Sequence, residues 1–288
     1  MIADRYSATW VSHSSISDFL KCPRSYYLKN MYRDPVTGHK IKLMSPPLAL
    51  GSAVHEVLES LSILPSERRF AEPLTVKLDF VWSKISGKKG GFTNKETELE
   101  YKNRAEAMLS RVQKHPGPLK NKAVKISMDL PYFFLSPEEN IILCGKIDWL
   151  EYFPETDSVH IIDFKTGKHD EDSESLQLPI YYLLVTNCQK RKVERASYWY
   201  IERSDDLAEQ RLPDAEESFA SVLEIAKKIK LARKLNLFKC PHKTGCSFCK
   251  PMEAILQHKA EFIGVNSMDN DVYILNKSSS IEDTSIIL

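Results

Sequence analysis

A short stretch between residues 140 and 181 carries side chains of the types that metal-dependent chemistry uses. Asp148 interrupts one apolar run, and Asp163 and Lys165 stand two residues apart in the next. Because alternate side chains of a strand project to one side, Asp163 and Lys165 share a face, and Asp148 joins them if the two runs pair across the PETD turn. Two carboxylates beside a lysine form a hard oxygen site suited to Mg²⁺ or Mn²⁺.

Hydrolysis of a phosphodiester uses the parts of such a site. A divalent cation neutralises the nonbridging oxygens and activates water, and a neighbouring ammonium stabilises the charge that grows on the phosphoryl group. Partial burial of Lys165 is expected to lower its pKa, so that the amine could also assist proton transfer. Full activity of a Lys165→Arg variant would rule out that second role.

Three further polar side chains complete the set of candidate site residues. Gln177 and Tyr181 stand one helical turn apart and can donate hydrogen bonds to a phosphate or base, or hold Lys165 in position. His55 lies on the flank of an apolar stripe in a predicted helix, four residues before Glu59. Its imidazole would add a nitrogen ligand, which favours Mn²⁺ over Mg²⁺.

Each part of this pattern also has a purely structural interpretation. An Asp-x-Lys pair on a strand is most often a solvated salt bridge, and a histidine beside an apolar stripe is more often packed than bound to a metal. Gln177 with Tyr181 carries little information alone. The order of the motifs favours catalysis, as does the placement of Asp163 and Lys165 in a run as apolar as IIDF, where charges require a partner or a function.

The ordered set of motifs resembles the RecB-like branch of the PD-(D/E)xK nuclease superfamily over about residues 14–258. The matching segments are GSAVHEVLE, CGKIDWLE, IIDFKTGK and QLPIYYLL, and the opening SSISDFLKCPRSYYLKN is also similar to the start of that branch. The resemblance implies an α/β fold with the restriction-endonuclease-like core, a mixed central sheet flanked by helices, after an N-terminal helical region. It implies metal binding by His55, Asp148 and Asp163, and a catalytic set of Asp148, Asp163, Lys165, Gln177 and Tyr181.

Four of the six cysteines form a second pattern, with one near the start of the chain and three near its end. These four are Cys22, Cys240, Cys246 and Cys249. Cys144 and Cys188 lie in apolar runs and are predicted to be small core residues.

Several RecB-like nucleases, among them the iron-sulfur exonucleases of CRISPR adaptation, hold a 4Fe-4S cluster with one N-terminal and three C-terminal cysteines. The resemblance implies the same clasp at the chain ends here. The C-terminal run is C-x₅-C-x₂-C, whereas the family pattern is C-x₂-C-x₅-C, and Ile255 stands six residues after Cys249. The alternatives are a cluster with Cys240 as its fourth ligand, a zinc site with His242 as a substitute ligand, or free thiols.

The composition is that of a folded protein with no overall electrostatic preference. The 288 residues are 42% hydrophobic and 27% charged, and the formal net charge is +1. A polyanion must therefore be bound by a local patch and not by the field of the whole molecule. No apolar run approaches the roughly 20 residues that span a bilayer, and the start lacks a signal-peptide pattern, so we expect an intracellular protein whose cysteines are free or metal-bound.

Basic stretches supply the candidate patches. The first is either a solvated helix face or a phosphate-binding track, and it comprises Lys227, Lys228, Lys230, Arg233, Lys234 and Lys239. A weaker second set stands at the first predicted strand and comprises Lys120, Lys122 and Lys125. Four aromatic residues could stack on unpaired bases or pack in the core, namely Tyr26, Tyr27, Tyr32 and Phe92.

A mixed set of helices and strands must position these residues. Apolar periodicity predicts helices over residues 14–31 with a break at Pro23, 48–64, 70–86, 96–114, 174–189 and 214–237, and a short helix within 240–258. Three antiparallel strands are predicted over 123–135, 141–152 and 159–165, and another strand over 195–202. We expect Ser14, Ser15 or Ser17 to cap the first helix and residues 35–47 to form a loop.

This order of elements predicts one α/β domain over residues 1–265, and the resemblance implies that it is a RecB-like nuclease domain. It would contain a helical insertion at about 60–120 and a cysteine clasp formed by Cys22 and residues 240–249. Residues 266–288 are predicted as a C-terminal tail, in which the segment DVYIL could form an added strand pair or the terminus could be mobile.

Pattern and resemblance together predict a Mg²⁺- or Mn²⁺-dependent DNA nuclease. We expect an exonuclease that acts on DNA ends or single strands in repair, recombination or foreign-DNA processing. No helicase motif is present, so the chain would act alone or with a separate helicase or recombination protein. One alternative is a non-catalytic, cluster- or zinc-stabilised DNA-binding subunit, which predicts a lost carboxylate or lysine. The other is an RNA nuclease on the same fold.

Overall fold

The computed structural model describes residues 4–275, which contain eight α-helices and ten β-strands. The helices are α1 (His13–Lys21), α2 (Pro23–Tyr26), α3 (Pro46–Ser60), α4 (Leu74–Ile85), α5 (Lys95–Lys114), α6 (Gln177–Cys188), α7 (Ala215–Leu235) and α8 (Lys250–Leu256). The strands are β1 (Thr9–Val11), β2 (Lys40–Leu43), β3 (Tyr132–Ser136), β4 (Ile141–Cys144), β5 (Trp149–Phe153), β6 (Ser158–Lys165), β7 (Lys192–Tyr200), β8 (Ala208–Gln210), β9 (Ala260–Val265) and β10 (Asn270–Leu275). The predicted α/β class is confirmed.

The central sheet is mixed and has the order β5-β6-β7-β8. β6 runs antiparallel to β5 and parallel to β7, and β8 is antiparallel to β7. The strand β6 is buried along nearly its whole length, as its sequence SVHIIDFK predicts for a strand covered on both faces. The parallel step from β6 to β7 needs a crossover connection, which α6 supplies.

Helices cover both faces of this sheet, so an apolar core forms on each side. Ile161 belongs to the core that contains α6 and α7, whereas its neighbour Ile162 belongs to the core that contains α3, α4 and α5. Helix α5 contributes residues spaced by three and four along one stripe: Ala105, Met108, Leu109 and Val112. The predicted mixed sheet flanked by helices is confirmed. Within the described part of the chain, no helix combines the length and the apolar character needed to cross a membrane.

The predicted antiparallel meander of three strands is wrong in two respects. Its first strand begins only at Tyr132, and the run 141–152 divides into β4 and β5, which belong to different sheets. The division falls at Gly145, where an added Cβ would come within 3.0 Å of the Leu184 side chain. This glycine lets the chain pass close to α6, and Asp148 consequently lies in the loop before β5 instead of within a strand.

Two three-stranded sheets complete the fold, with the orders β1-β4-β3 and β2-β10-β9. The stretch 35–47, predicted to be a loop, contains β2, which pairs in parallel with β10. Residues 266–275 of the predicted tail form a turn and the strand β10. Because β10 pairs antiparallel with β9, this is the added strand pair that the sequence allowed. Residues 276–288 of that tail lie outside the described residues.

The N-terminal helical region divides at Cys22. Ser12 caps α1 in a capping box, because its hydroxyl accepts from the Ser15 N–H and its own N–H donates to the Ser15 hydroxyl. The cap therefore lies before the serines that the sequence favoured. Pro23 cannot continue α1 and occupies the first position of α2, as the predicted break requires. Cys22 stands between the helices in an extended conformation with a buried side chain.

Candidate active site

Asp148 and Asp163 come together because β5 and β6 pair in register. Trp149 opposes Ile162 in the antiparallel pair, so the residue before Trp149 faces the residue after Ile162. Oδ2 of Asp148 accepts a hydrogen bond from the Phe164 backbone N–H at 2.8 Å, which anchors the loop carboxylate to the end of β6. The structure thus brings together the two carboxylates that the sequence paired, although Asp148 lies outside the strand.

Asp163 is almost completely buried, with 1% of its surface exposed. Its Oδ1 accepts a hydrogen bond from Gln177 Nε2 at 2.7 Å. Its Oδ2 lies 3.1 Å from Lys165 Nζ but receives no well-aligned hydrogen bond from the described residues, so this oxygen has an ionic neighbour and an open lone pair. Burial raises the pKa of Asp163 to about 7, with a further rise from the charge of Asp148 and an opposing effect of Lys165.

Lys165 lies at the end of β6 among acceptors. Besides Asp163, its Nζ contacts a carboxylate oxygen of Glu171 at 2.6 Å and donates to the Gln177 amide oxygen. Nζ also lies 4.9 Å from the centre of the Tyr198 ring. Burial lowers the pKa of Lys165, but the charge of Asp163 and the hydrogen bond and charge of Glu171 outweigh burial, so the pKa is raised. The expected lowering is wrong because the sequence did not reveal the second carboxylate.

Helix α3 brings His55 to the carboxylates. Gly51, one turn earlier, approaches the end of β6 so closely that an added Cβ would lie 3.2 Å from Thr166 Oγ1. His55 Nδ1 lies 3.4 Å from Asp148 Oδ1, and the ring meets Phe164 edge to face. Burial lowers the pKa of His55, but the hydrogen bond and charge of Asp148 reverse the effect and raise it.

Glu59 is a site residue that sequence reasoning missed. One ligand atom each from His55, Glu59 and Asp148 lie within 4.8 Å of one another. Burial, followed by the charge of Asp148, raises the pKa of Glu59. The signal was available, since a spacing of four residues places Glu59 on the same helical face as His55.

Gln177 and Tyr181 face β6 from the start of α6. The Gln177 amide nitrogen donates to Asp163 and lies 3.2 Å from the Tyr181 hydroxyl, while its oxygen accepts from Lys165. Burial and the charge of Asp163 raise the pKa of Tyr181 well above its ordinary value, so the phenol stays protonated. Gln177 therefore links Lys165 to Asp163, which matches the holding role that the sequence offered as one of two alternatives.

The donor set of this group fits a divalent cation. His55, Glu59 and Asp148 converge, whereas Asp163 lies outside this group of ligand atoms and offers a separate buried oxygen that lacks an aligned hydrogen bond in the described residues. Burial and the charge of Asp148 raise the pKa values of both Asp163 and Glu59, as expected where carboxylates gather without enough positive charge. Carboxylate oxygens with one imidazole nitrogen suit Mg²⁺ or Mn²⁺.

The four cysteines of the second pattern also come together. The Sγ atoms of Cys22, Cys240, Cys246 and Cys249 lie within 4.8 Å of one another, and none of the four forms a disulfide. Cys22 comes from the break between α1 and α2, and the other three come from the segment just before α8. Four convergent thiols are the ligand set of a zinc ion or of an iron-sulfur cluster.

Cys240 joins this group despite the reversed spacing of the C-terminal run, whereas His242 is exposed and lies outside the clustered ligand atoms. Burial opposes ionisation of Cys246. Hydrogen bonds from the backbone N–H groups of Cys249 and Phe248 prevail and lower the pKa of Cys246 to about 6. A thiolate, the form that binds metals, is therefore accessible near neutral pH.

The first basic stretch is partly engaged within the fold. Lys230 Nζ lies 2.7 Å from a carboxylate oxygen of Glu139, and Arg233 Nε donates to the Tyr26 hydroxyl at 2.7 Å. Tyr26 and Phe92 are buried in the core, so they pack against other side chains instead of presenting a face to a base. Lys230, Arg233, Tyr26 and Phe92 therefore contribute to the fold, as the structural interpretation predicts, and are not free to bind nucleic acid.

Comparisons with known proteins identify the family. A crystal structure from Eubacterium rectale, described as a "Putative exonuclease", is similar to this chain with a TM-score of 0.49 and 14% sequence identity, over 90% of this chain and 91% of that chain. No curated protein matches the chain significantly. A family model described as the PD-(D/E)XK nuclease superfamily matches residues 10–253, which include the carboxylates, Lys165 and the four clustered cysteines. The chain therefore belongs to the PD-(D/E)XK nuclease superfamily.

Proposed function

We propose that this chain is a Mg²⁺- or Mn²⁺-dependent deoxyribonuclease of the RecB-like branch. The observation that carries the proposal is the convergence of Asp148, Asp163 and Lys165 at the end of β6, with His55 beside them. Buried charges of this kind cost free energy unless they are paired or functional. A subunit that only bound DNA would gain nothing from keeping them, so the structure supports catalysis over a non-catalytic DNA-binding role.

His55, Asp148 and Asp163 are the proposed metal ligands, and Glu59 is an additional one. A bound divalent cation there supplies the positive charge that neutralises phosphate oxygens and lowers the pKa of water. The chain itself keeps the ligands in place. Asp148 is anchored by a backbone N–H, and Asp163 is held by the Gln177 amide.

Lys165 is proposed to act on the phosphate as a fixed ammonium. Its Nζ is held by the two carboxylates of Asp163 and Glu171 and by the Gln177 oxygen, so the charge has a defined position. A preorganised positive charge stabilises the negative charge that develops on the phosphoryl group in the transition state. Gln177 and Tyr181 are proposed as positioning residues, because Gln177 is hydrogen-bonded to both Asp163 and Lys165, and its amide nitrogen also donates to the Tyr181 hydroxyl.

Exonuclease action on DNA ends or single strands is proposed from the resemblance to the RecB-like branch. The motifs around His55, Asp148, Asp163 and Gln177 carry that resemblance. Repair, recombination and foreign-DNA processing are the settings that it implies, with a separate helicase or recombination protein as a partner.

The direct test is incubation of the purified chain with end-labelled single-stranded DNA, blunt duplex DNA, circular DNA and RNA, each with Mn²⁺, Mg²⁺ or EDTA. We expect degradation of linear DNA only with metal. We expect Lys165→Ala to lower the rate by about 10²–10³-fold, the cost of losing one transition-state charge contact. Lys192→Ala is the matched control, because this exposed lysine opposes Ser158 at the other end of the sheet from Lys165.

The outcomes separate the alternatives. Cleavage of RNA but not DNA would favour the RNA nuclease on this fold. DNA binding without cleavage under any metal condition would favour the non-catalytic subunit. Cleavage that Lys165→Ala leaves unchanged would overturn the assignment of the site.

We further propose that Cys22, Cys240, Cys246 and Cys249 hold a 4Fe-4S cluster, with zinc as the alternative. Four convergent thiols from both ends of the chain support either cofactor. Anaerobic purification should yield a brown protein with an absorbance band at about 400 nm from thiolate-to-iron charge transfer. The protein should also contain iron and acid-labile sulfide. A colourless protein that contains one zinc would assign the site to zinc instead.

A further inference from the structure

Two clefts meet at the candidate metal group. One has a volume of about 680 Å³ and reaches Asp148, and the other has a volume of about 820 Å³ and reaches His55. Glu59, Lys125 and Lys146 line both clefts, so these three residues mark the junction. A chain-like ligand that passes from one cleft into the other must cross the metal group.

The two lysines at the junction are exposed, and neither forms an ion pair with a carboxylate in the described part of the chain. Backbone contacts hold both near Asp148. Lys146 stands two residues before Asp148, and the segment of Lys125 is attached to β5 by a hydrogen bond from Val124 N–H to the Leu150 carbonyl at 2.9 Å. Two positive charges beside a metal group, neither of them in an ion pair within residues 4–275, are suited to phosphates.

The lining of the 680 Å³ cleft is more apolar away from the two lysines at the junction. Val124, Met128, Pro131 and Ile147 give it an apolar side, and Asp129 is a further carboxylate in its lining. A cleft of this volume holds a ligand of one or a few nucleotides. Apolar walls suit unpaired bases, which a duplex would keep stacked inside.

We propose that Lys125 and Lys146 bind the phosphates on either side of the scissile one in a single strand of nucleic acid, with bases on the apolar side of the 680 Å³ cleft. This inference rests on the proposed nuclease function and adds the path and the strandedness of the substrate. It also gives a role to Lys125, the one member of the second basic set that reaches the candidate site.

The test compares a Lys125→Ala/Lys146→Ala double variant with a Lys190→Ala/Lys192→Ala double variant. The control removes the same charge from exposed positions next to the start of β7, far from the site. Binding of a fluorescein-labelled oligothymidylate is measured by anisotropy over a range of salt, with each pair placed in a Lys165→Ala background and Mn²⁺ present. Cleavage kinetics are measured in the otherwise unchanged chain.

Each phosphate contact to a single strand adds about 0.7 to the magnitude of the slope of log K against log salt. The Lys125→Ala/Lys146→Ala variant removes two such contacts, so the magnitude of its slope should be smaller by about 1.4. At about 0.15 M salt this corresponds to a roughly tenfold higher Kd. The KM for cleavage should rise by a similar factor with kcat little changed. A Lys125→Arg/Lys146→Arg variant should restore both the slope and the KM, and the control pair should alter neither.

The failures of the two proposals are distinguishable. If the chain cleaves DNA but the test pair binds with the slope and Kd of the control pair, the lysine assignment is wrong and the nuclease function stands. If blunt duplex binds as tightly as the single strand and with the same dependence on the two lysines, the single-strand assignment is wrong. If the chain binds strands through these lysines and never cleaves, the phosphate site stands and the nuclease function fails.

Discussion

Gln177 joins the charged groups that lie deepest in the candidate site. Its amide nitrogen donates to Asp163 and its oxygen accepts from Lys165, so a single side chain sets the relative position of a carboxylate and an ammonium. The contact between Asp163 Oδ2 and Lys165 is ionic but poorly aligned as a hydrogen bond. Gln177 therefore fixes the geometry of the pair in addition to their mutual attraction.

Gln177→Met should lower kcat by about 10²-fold and leave the KM for DNA nearly unchanged. Methionine keeps the length of the side chain but removes both hydrogen bonds, and small displacements of reacting groups carry costs of this order. Steady-state cleavage measures both constants. Gln189→Met, at the far end of the same helix, is the control. An elevated KM with normal kcat would instead show that Gln177 binds a phosphate or base.

Glu59→Gln should raise the Mn²⁺ concentration needed for half-maximal cleavage by about tenfold, with activity recovered at saturating metal. The change removes one negative charge from the group formed with His55 and Asp148, and loss of such a contact weakens metal affinity by this order. Calorimetric titration with Mn²⁺ gives the same comparison without substrate. Glu56→Gln is the control, because that carboxylate is exposed on the same helix and pairs with Lys84 at 2.9 Å. Equal metal dependence of the two variants would remove Glu59 from the ligand set.

At the scale of elements, the sequence indicated which residues lie together in the candidate site better than it indicated the strands that carry them. His55, Asp163, Lys165 and Gln177 were selected because their spacing on a helix or strand fixes the direction of each side chain locally. Glu171 could not be chosen, since it lies in the acid-rich run HDEDSES, where only the folded turn brings one carboxylate to Lys165.

The missed elements depend on partners that are distant in the chain. The strand β2 exists because β10 pairs with it, and more than two hundred residues separate the two. The break at Gly145 depends on contact with α6, so a continuous apolar run gave no sign that β4 and β5 enter different sheets. Local periodicity carries no information about such contacts, whereas the buried strand β6 was predicted almost within its true bounds.

A buried polar ladder crosses three strands of the central sheet. His160 Nδ1 lies 3.0 Å from Glu151 on β5, and its Nε2 lies 2.8 Å from the Ser197 hydroxyl on β7. Asn121 Nδ2 donates to the other Glu151 oxygen at 2.6 Å. Glu151, His160 and Ser197 are each at most 5% exposed, so no substrate can reach them and the ladder is structural.

Glu151→Gln should lower the free energy of unfolding by about 2 kcal/mol at pH 7, the worth of a buried hydrogen bond to a charged group. Burial alone raises the pKa of Glu151, but the hydrogen bonds from His160 and Asn121 outweigh burial and lower it below its ordinary value of 4.5. The stability from this carboxylate is therefore fully present above about pH 4.5 and is lost as the pH falls through the lower folded pKa.

Urea unfolding at pH 7 and at about pH 4 checks this dependence. The difference between the wild type and Glu151→Gln should shrink at the lower pH, because only the wild type loses an ionised group. Glu155→Gln, exposed in the turn of the same hairpin, should match the wild type at both pH values. A difference that stays constant between the two pH values would show that the charge of Glu151 contributes nothing.

At the scale of the whole molecule, the two ends of the described chain are held together at several points. Strand β2 pairs with β10, and Arg24 Nε lies 2.5 Å from a carboxylate oxygen of Glu253. The Ser25 hydroxyl donates to the Phe248 carbonyl at 3.0 Å. The cysteine group lies among these contacts, and the central sheet belongs to the chain between them.

Cys22→Ser should lower Tm by about 10 °C, whereas Cys188→Ser should change it little. A metal or cluster bound by Cys22 and the C-terminal cysteines closes a very long loop, and cross-links of that span stabilise by about 4 kcal/mol or more. In a domain of this size, each kcal/mol corresponds to about 2–4 °C. Cys188 is a half-buried thiol outside the cysteine group, so its replacement removes a sulfur without opening the loop.

Removal of the metal or cluster proposed for the cysteine group gives the decisive comparison, because its loss should act through the same loop. Treatment with a strong chelator, with ferricyanide to dismantle an iron-sulfur cluster, should lower the Tm of the wild type and of Cys188→Ser to about that of Cys22→Ser. The Tm of Cys22→Ser itself should not fall further, since its loop is already open. Equal losses in all three proteins would mean that the metal stabilises only the C-terminal segment. The closure of the chain ends would then depend on the β2–β10 pair and on Arg24 with Glu253.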